Sequence, residues 1–188
     1  ANKSILLMCA HYASWEWIFI IQRYVTTDGY AIYKKIENKY FDQLVRKIRA
    51  KYNTNLITNK ETFTSMRDHK RLGKKGIYGF LSDQSPKLKS AYHWREFMNL
   101  KVPVHTGAEK LAKELDLAIV FFKTKKVKRG YYETTFKTVT LNPNEFENYQ
   151  ITDLFINYLE DMIHEEPAYY LWTHKRWKHR NNVPKEFQ

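Results

Sequence analysis

The sequence predicts an α/β fold, with a mainly parallel central sheet flanked by helices. One observation is alternation: short apolar runs at 4–10, 29–34, 54–58, 77–82 and 117–124 interleave with helical periodicity at 14–25, 38–51, 60–72, 105–115 and 151–164. A second is the lack of any repeat, low-complexity tract or linker rich in Gly, Ser or Pro, so residues 1–188 read as one domain. A third is a hydrophobic content of 43%, enough to build a core.

The elements follow in order. Ile5 to Ala10 is a continuous apolar run, which reads as a strand buried on both faces. Ser14 can cap a helix starting near Trp15, whose apolar positions Trp17, Ile18, Ile21 and Tyr24 recur at helical spacing. Residues 117–139 read as a hairpin with Lys128, Arg129 and Gly130 at its turn. The helix at 151–164 has the clearest apolar face, built from Ile151, Leu154, Phe155, Tyr158, Leu159, Met162 and Ile163, and Pro167 ends it.

The formal net charge is +12, which predicts an acidic partner: nucleic acid, anionic lipid or a phosphorylated substrate. Aromatics make up 16% of residues, a content that suits contact with lipid head groups or sugars as well as an aromatic core. The single cysteine, Cys9, excludes an intramolecular disulfide and reads as a small buried hydrophobe. No apolar stretch approaches the ~18 residues needed to span a bilayer. No spacing of His, Cys, Asp or Glu resembles a metal site, and the six glycines form no phosphate loop.

Two polar positions stand at strand ends. His11 follows the first strand and lies four residues before Glu16. On one continuous helix these side chains would diverge by about 140°, but at a strand end and a first helical turn they can converge. A carboxylate on a histidine fixes the tautomer and stabilises the imidazolium, as a general base requires. Asp83 follows the apolar run 77–82, at the same edge of a parallel sheet, where active residues gather. An Asp before Ser-Pro also forms turns readily, so the pattern leaves its role open.

The chain resembles the late acyltransferases of lipid A biosynthesis, a branch of the lysophospholipid acyltransferase superfamily with a glycerol-phosphate-acyltransferase-like fold. Four blocks in the family's order carry the resemblance. They are His11-x4-Glu16 with Trp15 before the acid, Phe80 through Asp83, Gln84 and Pro86, then Phe97 to Ala112 with its Gly107 turn, and Tyr170 to Lys178 with its Trp-x-His. Ser14 departs from the Asn frequent in this branch.

The resemblance implies transfer of a fatty acyl chain from an acyl carrier protein or coenzyme A thioester to a hydroxyl of a lipid A precursor. It implies no other cofactor and no metal. His11 would be the base and Glu16 the carboxylate that holds it. Arg49, with Arg46 as fallback, matches a functionally important Arg; it could grip a phosphate or Asp83. Asp83 and Gln84 would face substrate. The implied partners are acyl carrier protein, an anionic lipid and the membrane surface, at the cytoplasmic face of a bacterial inner membrane. The family also leads us to expect an N-terminal membrane anchor ahead of Ala1. Other membrane lipids are alternative acceptors. A basic nucleic-acid-binding domain is the rival from another class, but the basic residues are dispersed and no recognised nucleic-acid motif is present.

Overall fold

The structure, a computed structural model, describes residues 2–187. Its strands are β1 (Ile5–Cys9), β2 (Asp28–Tyr33), β3 (Asn55–Thr58), β4 (Gly76–Leu81), β5 (Trp94–Phe97), β6 (Leu100–Pro103), β7 (Ala118–Lys128) and β8 (Tyr131–Thr140). Its α-helices are α1 (Lys39–Arg49), α2 (Thr62–Arg71), α3 (Gly107–Leu115) and α4 (Gln150–Glu165). Six strands form one sheet in the order β3-β2-β4-β1-β7-β8, parallel except for the β7–β8 hairpin. The expected α/β architecture is therefore present. The hairpin turns at Gly130, whose φ of 79° is a left-handed conformation that glycine adopts without a Cβ clash.

β1 sits in the interior of the sheet, which accounts for its unbroken apolar run. Side chains alternate between faces. Leu6 and Met8 point into the main core with Tyr78, Ile119 and Phe121, where Met66 of α2, Leu111 of α3 and Ile156 of α4 meet them. Leu7 and Cys9 point to the other face and share a small cluster with Phe122. That second face is covered by the segment Trp15–Arg23, in which no residue is fully buried.

Three local expectations need correction. Trp15–Arg23 is a 3₁₀ helix, not an α-helix, and Ser14 makes no side-chain cap; its carbonyl accepts from the Trp17 N–H at 3.0 Å instead. With Ala13 held at φ 51°, the chain enters this turn through a left-handed residue, so the Ser14 hydroxyl does not reach the helix N–H groups. The β5–β6 hairpin falls outside every predicted strand. Its turn, Met98-Asn99, has both residues at positive φ (51° and 61°), the conformation of a two-residue hairpin turn usually signalled by Gly. The Glu160 carboxylate on α4 accepts from the Met98 N–H and holds this turn. Among the described residues, no helix is long and apolar enough to cross a membrane.

Burial predicts which positions stabilise the fold. Leu111→Ala, at a fully buried site, is expected to lower the unfolding free energy by about 2–5 kcal/mol. Leu44→Ala, on exposed α1, is expected to change it by less than about 0.5 kcal/mol. Urea midpoints of the two variants check this; equal shifts would refute the contrast.

Candidate active site

The site is built where β1 and β4 end. These neighbours are parallel and in register, with Cys9 opposite Leu81, and the Ser82 N–H extends the pairing by donating to the Cys9 carbonyl at 3.1 Å. His11 and Asp83 each lie two residues beyond their strand. Leaving the sheet side by side, they meet: His11 Nδ1 is 2.8 Å from Asp83 Oδ1. The Asp83 side chain is only 2% exposed and that of His11 16%, so the carboxylate is shielded behind the ring. With Nδ1–H donating to Asp83, Nε2 carries the lone pair and can take a proton.

Glu16 is not the carboxylate that holds His11. It is gripped in fork fashion by Arg49 of α1, whose Nε donates to Oε2 at 3.1 Å and whose Nη2 donates to Oε1. The guanidinium offers two parallel donors where imidazole offers one, and Asp83, on the adjacent strand end, occupies Nδ1. Arg49 correspondingly grips Glu16, not Asp83. The two pairs adjoin through Trp15: its ring meets His11 edge-on at 4.9 Å and the Arg49 guanidinium lies 5.7 Å from its centroid.

The other expected residues sit at the periphery. Arg46 is exposed on α1 and its side chain makes no hydrogen bond among the described residues; bonds from Thr58, and more weakly the Arg46 charge, lower the Glu61 carboxyl. Gln84 is half-buried beside Asp83 and its side chain bonds to none of the described residues. Cys9 is 4% exposed, and burial reinforced by Asp83 pushes its thiol well up, so it is no thiolate nucleophile at neutral pH.

The closing block of the sequence has a structural function that its spacing did not reveal. It straps the His11 and Asp83 loops in place. The Leu171 N–H donates to the His11 carbonyl at 3.1 Å; just ahead of the block the Tyr169 carbonyl accepts from the Ala13 N–H at 2.9 Å, and on α4 the Met162 carbonyl accepts from the Tyr12 hydroxyl at 2.7 Å. The Ser85 N–H donates to His174 Nε2 at 3.0 Å, and Ser85 Oγ donates to the Arg176 carbonyl at 2.5 Å. Arg176 is fully buried, donating to Ser85 Oγ and to the Pro103 carbonyl, with its guanidinium over Phe97. Burial lowers its pKa, opposed by Tyr170 and Asp83. Trp177 stacks on Phe97 and Trp172 on Trp177, so both pack the tail onto the core. A basic-aromatic tail beginning at a β-bridge partner of Tyr12 would have been a usable signal, but only with the bridge known.

Apolar space adjoins the pairs on the thinly covered face of the sheet. A narrow cavity of about 40 Å³ runs beside Cys9, Trp15, Phe19, Gly79 and Arg49, and an open groove of about 280 Å³ lies between Glu16, Trp17, Phe19 and Ile48. Gly79 keeps this space open: a Cβ there would approach nothing closer than the Tyr30 carbonyl at 3.8 Å. A larger cavity, about 680 Å³ at the start of α3 beside His105, Gly107 and Lys110, includes neither His11 nor Asp83 in its lining.

The parallel sheet thus carries a carboxylate-bound histidine at its carboxyl edge, beside a buried thiol and an adjoining apolar cleft. The family model of bacterial lipid A biosynthesis acyltransferases matches residues 1–179, and the chain belongs to that family. It is therefore an acyltransferase. No curated protein matches the chain.

Two outcomes follow from this geometry. Asp83→Asn is expected to cut kcat by about 10²–10⁴, because the imidazole loses its orienting and stabilising carboxylate. Glu16→Gln should cost less, and the reverse ranking in steady-state kinetics would return the histidine's partner to Glu16. The second concerns pH. Burial, then Lys178, lowers His174 below its ordinary 6.5, in keeping with a neutral Nε2 accepting from Ser85. A depressed histidine favours the fold while neutral, so its contribution is present above pH 6.5 and is lost as pH falls toward the folded value. Unfolding free energy should thus decline below pH 6.5, and His174→Gln should flatten part of that decline; identical slopes would contradict the assignment.

Proposed function

We propose that the chain moves a fatty acyl group from an acyl carrier protein or coenzyme A thioester onto a hydroxyl of a lipid A precursor. Residues 1–188 act as one acyltransferase domain, working at the cytoplasmic face of the bacterial inner membrane. The observation that carries the reading is the His11–Asp83 pair at 2.8 Å, with Nε2 left as the basic nitrogen. His11 Nε2 takes the acceptor's proton as its oxygen attacks the thioester carbonyl. Asp83 holds the tautomer and stabilises the imidazolium. The carbon–sulfur bond breaks, and the departing thiolate recovers the proton from Nε2. The thioester is already activated, so holding donor and acceptor together suffices and no covalent enzyme intermediate is needed.

The Glu16–Arg49 pair has a positioning role in this scheme. It anchors the first 3₁₀ turn to α1 and holds Trp15 against the His11 ring. The neighbouring apolar cavity and groove have the lining an acyl chain requires. Arg46 and Gln84, whose side chains make no hydrogen bond among the described residues, are the ones we assign to polar groups of the acceptor.

The test supplies a long-chain acyl carrier protein thioester and a tetra-acylated lipid A precursor, and mass spectrometry looks for one added chain. His11→Ala is expected to reduce turnover by about 10²–10⁴. Acyl addition that persists in that variant would overturn the role of His11. Absence of addition with intact donor and folded protein would overturn the acceptor, and addition to another membrane lipid would replace it.

A further inference from the structure

Helix α1 is amphipathic in the wrong sense for a helix packed on a core. Its only buried residue is Asp42, whose carboxylate accepts from the Ile36 N–H at 2.9 Å; half-buried Val45 and Arg49 complete the inward stripe. Its large apolar residues point outward: Tyr40 is 71% exposed, Phe41 54%, Leu44 51% and Ile48 59%. At about 100° of rotation per residue these four fall within a single arc about 100° wide. A helix normally turns such an arc inward.

The arc is bordered by cations. Exposed Lys47 falls about 20° beyond the Tyr40 edge of the arc, exposed Lys51 lines the groove beside Ile48, and the stretch 34–51 carries seven basic residues against two acidic ones, of which Asp42 is buried. The apolar surface also continues off the helix. Ile48 and Lys51 share the groove of about 280 Å³ with Trp17, itself 55% exposed, and with Glu16. The same patch thus reaches the Glu16–Arg49 side of the active site.

We propose that α1, with Trp17, is the surface by which this protein lies on an anionic lipid bilayer. An apolar arc with lysines beside it, on a strongly basic stretch, is the pattern of a helix resting in the headgroup region, its apolar face in the acyl boundary and its cations on lipid phosphates. A second copy of the chain would set cation against cation across this patch. The inference rests on the acyltransfer reading for what the bilayer supplies: a lipid acceptor, entering from the groove that α1 borders. Arg49 then faces the site from the same helix whose outer face meets the lipid.

The experiment sediments the 188-residue chain with vesicles of phosphatidylglycerol and phosphatidylethanolamine, and in parallel with vesicles of phosphatidylcholine alone. Expected is partition into the anionic vesicles that weakens as salt is added, with quenching of Trp17 by brominated acyl chains that is lost in Trp17→Phe. The double variant Leu44→Glu/Ile48→Glu should bind about tenfold more weakly, with an unchanged thermal unfolding midpoint. His11→Ala should bind as the parent does, so binding stands or falls separately from catalysis. Equal binding of the double variant, or equal partition into both vesicle types, would overturn the proposal. A dimer in solution that the double variant dissolves, with no vesicle partition, would assign the patch to a second copy instead.

Discussion

The parallel pairing of β1 with β4 is the constraint from which the site follows. Because Cys9 lies opposite Leu81 and both strands stop there, the next residues are carried out of the same edge at the spacing of neighbouring strands. A histidine two residues beyond one end and an aspartate two residues beyond the other then meet with no long loop to order. A register slip of one residue would turn the apolar side chains of β1 to the opposite faces. Burial of Leu6 and Met8 in the main core therefore also fixes His11. The closing segment adds restraint: its backbone bonds to His11 and Ala13 hold the loop that keeps His11 beside Asp83.

The two faces of the sheet are packed to different ends. The face toward α2, α3 and α4 holds nearly all the fully buried apolar residues. On the other face the buried cluster is only Leu7, Cys9 and Phe122, beneath a 3₁₀ helix with no buried residue. Filling that second face with larger side chains would stabilise the fold by removing more apolar surface from water, at about 25 cal/mol per Å². Instead Gly79 and Ala31 keep space there, beside Trp15 and Arg49. Stability rests on one layer, which leaves the other able to admit a ligand next to the Trp15–Arg49 side of the His11–Asp83 pair.

What was legible in the sequence was whatever depends on local pattern. β1 announces itself because both of its faces are buried, and α4 because one of its faces is. That His11 and Asp83 stand at the same sheet edge was legible too, since each follows an apolar strand. Their pairing was not, because it requires β4 to lie beside β1, and strand order is a tertiary property. Glu16, near His11 in sequence, is the local choice, and the structure gives it to an arginine 33 residues away. The β5–β6 hairpin was hidden for a different reason: its turn uses Met98 and Asn99 at positive φ, held by Glu160, in place of the glycine that would mark it. Likewise Arg176 reads as one more basic residue of a charged tail until its burial under Ser85 and over Phe97 is seen.

Helix α1 joins these threads. A helix with an inward stripe of Asp42, Val45 and Arg49 gains little from packing, since burying charge requires partners and yields less than burying carbon. Both inward charges have partners: Asp42 accepts a backbone N–H, and Arg49 grips Glu16 in front of Trp15. The helix is thus fixed by polar contacts to the active-site side of the molecule, while its apolar residues face outward. That arrangement is costly for a helix whose outer face meets only water and favourable for one that rests on lipid. The ion pair that anchors it is also the one that steadies the aromatic ring beside His11. The outer face of α1 is thus joined to His11 by a chain of contacts: Arg49 to Glu16 by the fork, Arg49 to Trp15 by cation–π contact, and Trp15 to His11 edge-on.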